Sequence, residues 1–369
     1  MNILYLSKLD GRPWVGPTYS VPKQISAQSR YDNIFWFNIY DGGKVEGIEN
    51  INKWRELSYY GDLSNFPTGH ISDLPAPFDR PDLIVVEQCY PYARSDIRRE
   101  IMKSGIPYIV IPRGEFTNNA QNKKAFKKRL GNFVLQIPRF VRNGVAIQCL
   151  TNQENKETDA YWGGNRIILP NGTDIPEILD KKIKEEKVFV SIGRYEPYQK
   201  GLDLLIDAIE ANFELLIANN IRITMYGSNM EHKREILEDT VRNKKLEPVI
   251  TFHDGVFGEA KDKVLRNADA FLMPSRFEGH PTGLLEALAY GLPCLATTGS
   301  NMRKEIEDAN AGWGADNTVE SIISAMKKMI NEQAMFAIKS KNARELAQEY
   351  SWDSIAKKSH EEYKKIIGK

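Results

Sequence analysis

The sequence has little of what usually betrays a function. Among its 369 residues cysteine occurs three times, as Cys89, Cys149 and Cys294, and never in a CxxC pair. An odd, scattered set excludes a disulfide framework and fits small core residues in a reducing compartment. The five histidines are scattered, with no HExxH, no Cys/His cluster and no Asp-x-Asp after a strand-like run. No metal or other cofactor is therefore expected. Net charge is only +1, which gives no global field for nucleic acid, so no nucleic-acid partner is expected. No apolar run reaches the ~18 residues needed to span a bilayer. The opening MNILYLSKLDG has no charged stretch followed by a long apolar one. No signal peptide is expected, and the chain is placed in the cytoplasm.

Two phosphate-binding signatures are missing as well. GRPWVGPT (11–18) has the glycine spacing of a phosphate loop, but Pro17 stands where the lysine belongs. No GxGxxG follows the first strand-like run. What remains there is Gly16, which either turns the chain or lets backbone approach a phosphate.

What is present is an alternation. Strand-like runs stand at 2–7, 34–38, 82–87, 107–112, 145–150 and 166–170, then at 188–193, 222–227, 249–253, 270–275 and 293–297. Helical patterns separate them, so βα units and parallel sheets buried on both faces are expected. The length suits two domains. The turn Asn171-Gly172, Pro176 and the charge run to Lys187 mark a hinge between the two series. Domains are expected at 1–173 and 174–349. A final helix covers 350–369, with Ser351 as a possible cap and Trp352, Ile355, Ala356, Tyr363 and Ile366 as its apolar face. In doubly wound sheets ligands gather at the carboxyl ends of strands.

Two motifs fall at such ends. In SIGRYEPYQKGLDLL (191–205) a strand ends at Gly193, Arg194 follows at once, and Lys200-Gly201 precede a helix. The helix dipole opposes a lysine at that end by up to about 1 kcal/mol. A bound anion reverses the sign; two surface cations are the plain alternative. In RFEGHPTGLLEALAYGLP (276–293), Glu278 precedes a Gly279/His280/Pro281/Thr282/Gly283 turn. A helix from about Gly283 to Tyr290 then carries Glu286 in its first turn, with Gly291 as its stop. Glu286 reads either as a helix-capping acid or as a ligand for hydroxyl groups beside an anion site. A third segment, KKAFKKRLGNFVLQIPRFVR (123–142), has seven Lys/Arg and no acid. It reads either as a helix with its apolar face on the core or as a contact for an anionic membrane or acidic acceptor.

Four segments in order, IPRGEF (111–116), LPNGTD (169–174), SIGRYEPYQKG (191–201) and PSRFEGHPTGLLEALAYGLP (274–293), resemble the retaining glycosyltransferases of family 4. LTNQE (150–154) and the last helix fit too, and the Glu-x7-Glu spacing joined to Gly-Arg…Lys-Gly is the specific part. The resemblance implies an α/β fold of the GT-B type, with two Rossmann-like doubly wound domains facing across a cleft. The first would bind the acceptor and the second a nucleotide-sugar, with the last helix crossing back to the first. It implies hexosyl transfer, with retention, from a nucleoside-diphosphate sugar, most often of UDP, to a glycan or lipid-linked acceptor. Arg194 and Lys200 would hold the diphosphate, lined by Gly16, Gly193 and Gly227. Glu278 would face the donor sugar beside the amides of His280, Pro281, Thr282, Gly283 and Leu284 and the turn at Gly279, though Pro281 lacks an N–H. Glu286 would bind ribose. Arg113 stands where many members have a histidine, and is expected to hold the acceptor or a phosphate instead. A GT-B sugar-nucleotide 2-epimerase and a non-catalytic nucleotide-sugar-binding subunit remain the alternatives.

Overall fold

A computed structural model describes residues 1–13, 15–40, 45–93, 95–117, 120–121, 125–158, 160–177, 185–229 and 232–368. Residues 123–124 of the basic segment, 178–184 of the expected hinge and residue 14 of the glycine-spaced loop lie outside them. The chain divides into two compact units, Met1–Gly172 with Trp352–Lys369, and Thr173–Ser351.

The first unit holds seven strands: β1 (Asn2–Ser7), β2 (Asn33–Asn38), β3 (Tyr60–Asp62), β4 (Leu83–Glu87), β5 (Tyr108–Ile111), β6 (Ala146–Cys149) and β7 (Arg166–Ile168). Their order across the sheet is β3-β2-β1-β4-β5-β6-β7, every pair parallel. The second unit holds six: β8 (Lys187–Ile192), β9 (Ile221–Gly227), β10 (Ile250–Asp254), β11 (Ala270–Met273), β12 (Cys294–Thr297) and β13 (Gly312–Ala315). Their order is β10-β9-β8-β11-β12-β13, again all parallel. Each order reverses direction once, between β1 and β4 and between β8 and β11. Those are the switch points where a doubly wound sheet leaves a crevice.

All eleven expected runs form strands, with ends moved by a residue or two. Tyr60–Asp62 and Gly312–Ala315 were not expected. Both sheets are covered on both faces, which is why the runs read as continuous apolar stretches. Leu4 and Leu6 of β1 enter one core and Ile3 and Tyr5 the other. Ala270 and Leu272 of β11 divide from Phe271 and Met273 in the same way. The three cysteines are buried and free.

The last helix, Trp352–Ile367, packs within the first unit against the helix Gly16–Gln28. Its buried residues are Trp352, Ile355, Ala356, Ser359 and Tyr363. Polar contacts fix its register: the Tyr363 hydroxyl donates to Gln148 Oε1 at 2.6 Å, and His360 Nδ1 lies 2.9 Å from buried Asp32. Among the described residues no helix is long and apolar enough to cross a membrane.

Candidate active site

The carboxyl ends of β8 and β11, the two sides of the second unit's switch point, carry the charged residues the sequence singled out. β8 runs into Gly193 and Arg194, and β11 runs through Pro274 and Ser275 to Glu278. Backbone proximity sets this arrangement. A Cβ on Gly227 would lie 2.3 Å from the Gly193 carbonyl oxygen, and the Gly193 amide donates to Tyr226 at 2.9 Å. Gly201 is left-handed, with φ +61°, and a Cβ there would lie 2.0 Å from the Pro274 carbonyl oxygen. Only glycine lets the chain leave Lys200 so close to β11. Lys200 does not stand in an open loop before the helix Leu202–Ala211. It closes a short helix of its own, Pro197–Lys200, where the dipole favours a cation.

Lys200 Nζ reaches Glu278 Oε1 at 2.6 Å, and the same oxygen accepts from Ser275 Oγ at 2.7 Å. The two side chains are 19% and 10% exposed, so the pair is sheltered but reachable. Arg194 is exposed, its Nη2 donating to Gln199 Oε1 at 3.2 Å. A small pocket opens here, lined by Gly193, Arg194, Lys200, Tyr226, Pro274 and Ser275 among others.

The turn after Glu278 is held from below. Asn301 Nδ2 donates to the carbonyls of Glu278 at 2.5 Å and Gly279 at 3.0 Å. Arg276 forms a two-pronged pair with Asp203, 2.7 Å on each arm, which ties the turn to the helix after Lys200. Pro281 takes the N-cap position and the helix runs Thr282–Ala289. The Leu284 and Leu285 amides bond back to Pro281. Those of Thr282 and Gly283 have no acceptor among the described residues and open the helix as anion-binding groups do. His280 has its Nδ1 sealed from solvent without a hydrogen-bond partner, and burial pushes its pKa down to about 3. It is a neutral imidazole at physiological pH.

One expectation needs correcting. The helix begins at Thr282, a residue early, because proline at the N-cap already has the required extended conformation. Glu286 is its fifth residue, past the first turn, and does not cap it. Its Oε1 instead meets Lys261 Nζ at 2.6 Å, from the helix Gly258–Asn267. Lys261, Ser275, Asn301 and the Arg276–Asp203 pair had no signal in the sequence, since each reaches the site from a remote segment or looks like an ordinary polar residue.

Gly16 and Arg113 belong to the first unit, the residues above to the second. Gly16 is the first residue of the helix Gly16–Gln28, and a Cβ there would meet nothing within 4 Å. The Arg113 guanidinium is turned into the protein. Its Nε donates to Glu87 at 2.6 Å, Nη1 to Ser20 at 3.2 Å and Asn171 at 3.0 Å, and Nη2 to Gln24 at 3.0 Å. The side chain is 5% exposed and Glu87 is 1% exposed. Arg113 has φ +48°, a conformation costly for any residue but glycine and held here by this network.

Residues 174–349, nearly all of the second unit, match the family model for glycosyl transferases group 1. The match lies wholly within the second unit. An uncharacterized glycosyltransferase of Methanocaldococcus jannaschii is 28% identical over 182 residues, covering 49% of this chain. The chain spans 45% of that relative's length. Among solved structures, the Anabaena protein HepE in complex with UDP superposes with a TM-score of 0.75 at 15% identity, covering 99% of this chain and all of that one. Sucrose-phosphate synthase from Thermosynechococcus elongatus gives a TM-score of 0.73 at 14% identity, covering 100% of this chain and 99% of that one. Likeness at this identity establishes the fold, two Rossmann-like domains of the GT-B type.

Proposed function

We propose that the chain is a retaining hexosyltransferase of family 4, taking a hexosyl group from a nucleoside-diphosphate sugar to a glycan or lipid-linked acceptor in the cytoplasm. The observation that carries this reading is the Lys200–Glu278 pair at the open switch point of a glycosyl transferases group 1 unit. UDP is the nucleotide chosen, in keeping with the UDP bound by the structurally similar HepE. Residues 174–349 bind the donor and residues 1–173 the acceptor.

In this reading Arg194 and Lys200 neutralise the diphosphate, and the Thr282 and Gly283 amides with the helix behind them add partial positive charge. Glu278 exchanges its contact with Lys200 for the hydroxyls of the donor sugar. Glu286 keeps Lys261 on one oxygen and offers the other to the ribose. Gly16, Gly193 and Gly227 leave room for the diphosphate. The bond between the anomeric carbon and the phosphate oxygen breaks as positive charge grows on the sugar ring. The acceptor oxygen bonds to that carbon on the same face, and its proton passes to the departing phosphate. Fixed cations and amides stabilise the leaving charge without reorganising, the usual source of the largest rate term. Arg194 and Lys200 do this without a metal, so transfer is expected to persist in EDTA.

Arg113 is read here as a positioning residue that fixes the first unit's strand ends. The test is a thermal-shift screen of UDP, GDP, ADP and their sugars, since a ligand of the native state raises apparent stability. Product analysis with and without acceptors follows. A UDP-sugar is expected to stabilise the protein and to lose its sugar only when an acceptor is present. Conversion of the nucleotide-sugar to its C2 epimer without acceptor points to an epimerase, and binding without any turnover to a non-catalytic subunit. Wild-type turnover by purified Arg194→Ala or Lys200→Ala sinks the proposed mechanism.

A further inference from the structure

The helix Ala125–Val134 is inside out. Its protein-facing side is polar. Asn132 is 3% exposed and accepts from the Tyr90 hydroxyl at 3.0 Å, and Lys128 lies over the Tyr90 ring at 5.7 Å. Its outward side is apolar: Phe126 and Phe133 are each 80% exposed, Val134 65% and Leu130 54%. These four stand at i, i+4, i+7 and i+8, one continuous stripe. The sequence alone left open a helix with its apolar face on the core. That arrangement holds only for the next helix, Ile137–Asn143, whose Ile137, Phe140 and Val141 are buried. An outward apolar stripe of this kind marks a contact surface.

The charges name the occupant. At ~100° per residue Lys127 and Arg129 flank the stripe, one on each side, and both are exposed. Arg139 is exposed just beyond, and residues 125–143 contain no acid. A second copy docking symmetrically would set this cationic rim against itself. A partner with an apolar interior beneath a negative surface satisfies both halves.

We infer that Ala125–Val134 seats the protein on an anionic lipid bilayer, with Phe126, Leu130, Phe133 and Val134 entering the acyl boundary and Lys127 and Arg129 against the headgroups. This rests on the helix itself and stands or falls apart from the glycosyl-transfer reading.

Co-sedimentation of the full chain with vesicles of phosphatidylcholine, and of phosphatidylcholine mixed with phosphatidylglycerol, tests it. The wild-type protein is expected to pellet with the mixed vesicles and to be released by salt. Each of Phe126→Ser and Phe133→Ser should lower the partition about tenfold with the charge unchanged. Lys127→Gln and Arg129→Gln should each lower it about fivefold on the anionic vesicles alone. All four positions are exposed, and an unchanged thermal melt confirms that each variant is folded. Wild-type protein left in the supernatant, or phenylalanine variants pelleting as wild type, overturns the inference. Equal pelleting with neutral vesicles overturns the anionic surface. Self-association without lipid that the phenylalanine variants abolish means that a second copy covers the face, and overturns it too.

Discussion

Arg113 with Glu87 and Lys200 with Glu278 are both ion pairs of 2.6 Å at the carboxyl ends of parallel sheets. Their surroundings differ. In the first unit Arg113 reaches across the switch point between β1 and β4, to Glu87 on one side and to Ser20 and Gln24 on the helix after β1. That crevice is filled by the protein's own side chains. In the second unit the corresponding crevice, between β8 and β11, is open, and its cation and carboxylate are partly exposed. The same topology thus gives one closed strand end and one that can take a ligand. Side-chain occupancy makes the difference: a buried pair must be matched internally, while an accessible pair can exchange partners.

The strongest way to break this comparison is at the closed end. Arg113→Met strands a buried carboxylate and should destabilise the first unit by about 3–5 kcal/mol. Urea unfolding measures this, and the double variant with Glu87→Gln should recover part of the loss. An unaltered unfolding curve for the single variant would contradict the closed end described here. At the open end the effects reverse. Lys200→Ala should change stability by no more than about 1 kcal/mol, yet lower transfer about a hundredfold or more. Steady-state rates beside a thermal melt decide whether the residue serves chemistry or folding.

A third test uses pH. Glu115 lies beside the closed end, where burial pushes its pKa up to about 7 from 4.5, opposed by the Cys89 and Tyr90 amides that donate to it. Between pH 4.5 and 7 the folded protein holds this proton and the unfolded chain has released it. Stability should therefore fall as pH rises through that window, by up to about 3 kcal/mol. Glu115→Gln should remove that slope, as denaturation at several pH values will reveal. The smallest effect is expected from Glu286→Gln, which keeps the volume but weakens hydroxyl binding. Donor affinity by calorimetry should drop about tenfold, and no change would remove the ribose role proposed for Glu286.

Much of the second unit's site was legible because its parts are local. Gly193, Arg194 and Lys200 lie within one βα connection, and Glu278 to Glu286 within another, so strand ends and turn glycines located them. The partners were not legible. Lys261 lies 25 residues from Glu286, and nothing near it distinguishes it from other helix-surface lysines. Glu286 was misplaced by one helical residue because a turn rich in glycine and proline leaves the N-cap ambiguous. Tyr60–Asp62 was missed because three residues carry no period, and Gly312–Ala315 because glycine at two of its four positions leaves no β-branched or aromatic run to mark a strand. The helix Ala125–Val134 has the same hydrophobic spacing whether its apolar stripe faces in or out.

The sequence by itself determined the two parallel sheets, since unbroken apolar runs separated by helices fit only strands covered on both faces. It also determined that Arg194, Lys200 and Glu278 follow strands, because chain order alone sets that. Only the tertiary structure decided that β8 and β11 are neighbours and bring Lys200 to Glu278. It alone turned Arg113 inward and the stripe of Phe126 and Phe133 outward. Strand order and helix rotation depend on packing between distant segments, and no local window of residues contains that information.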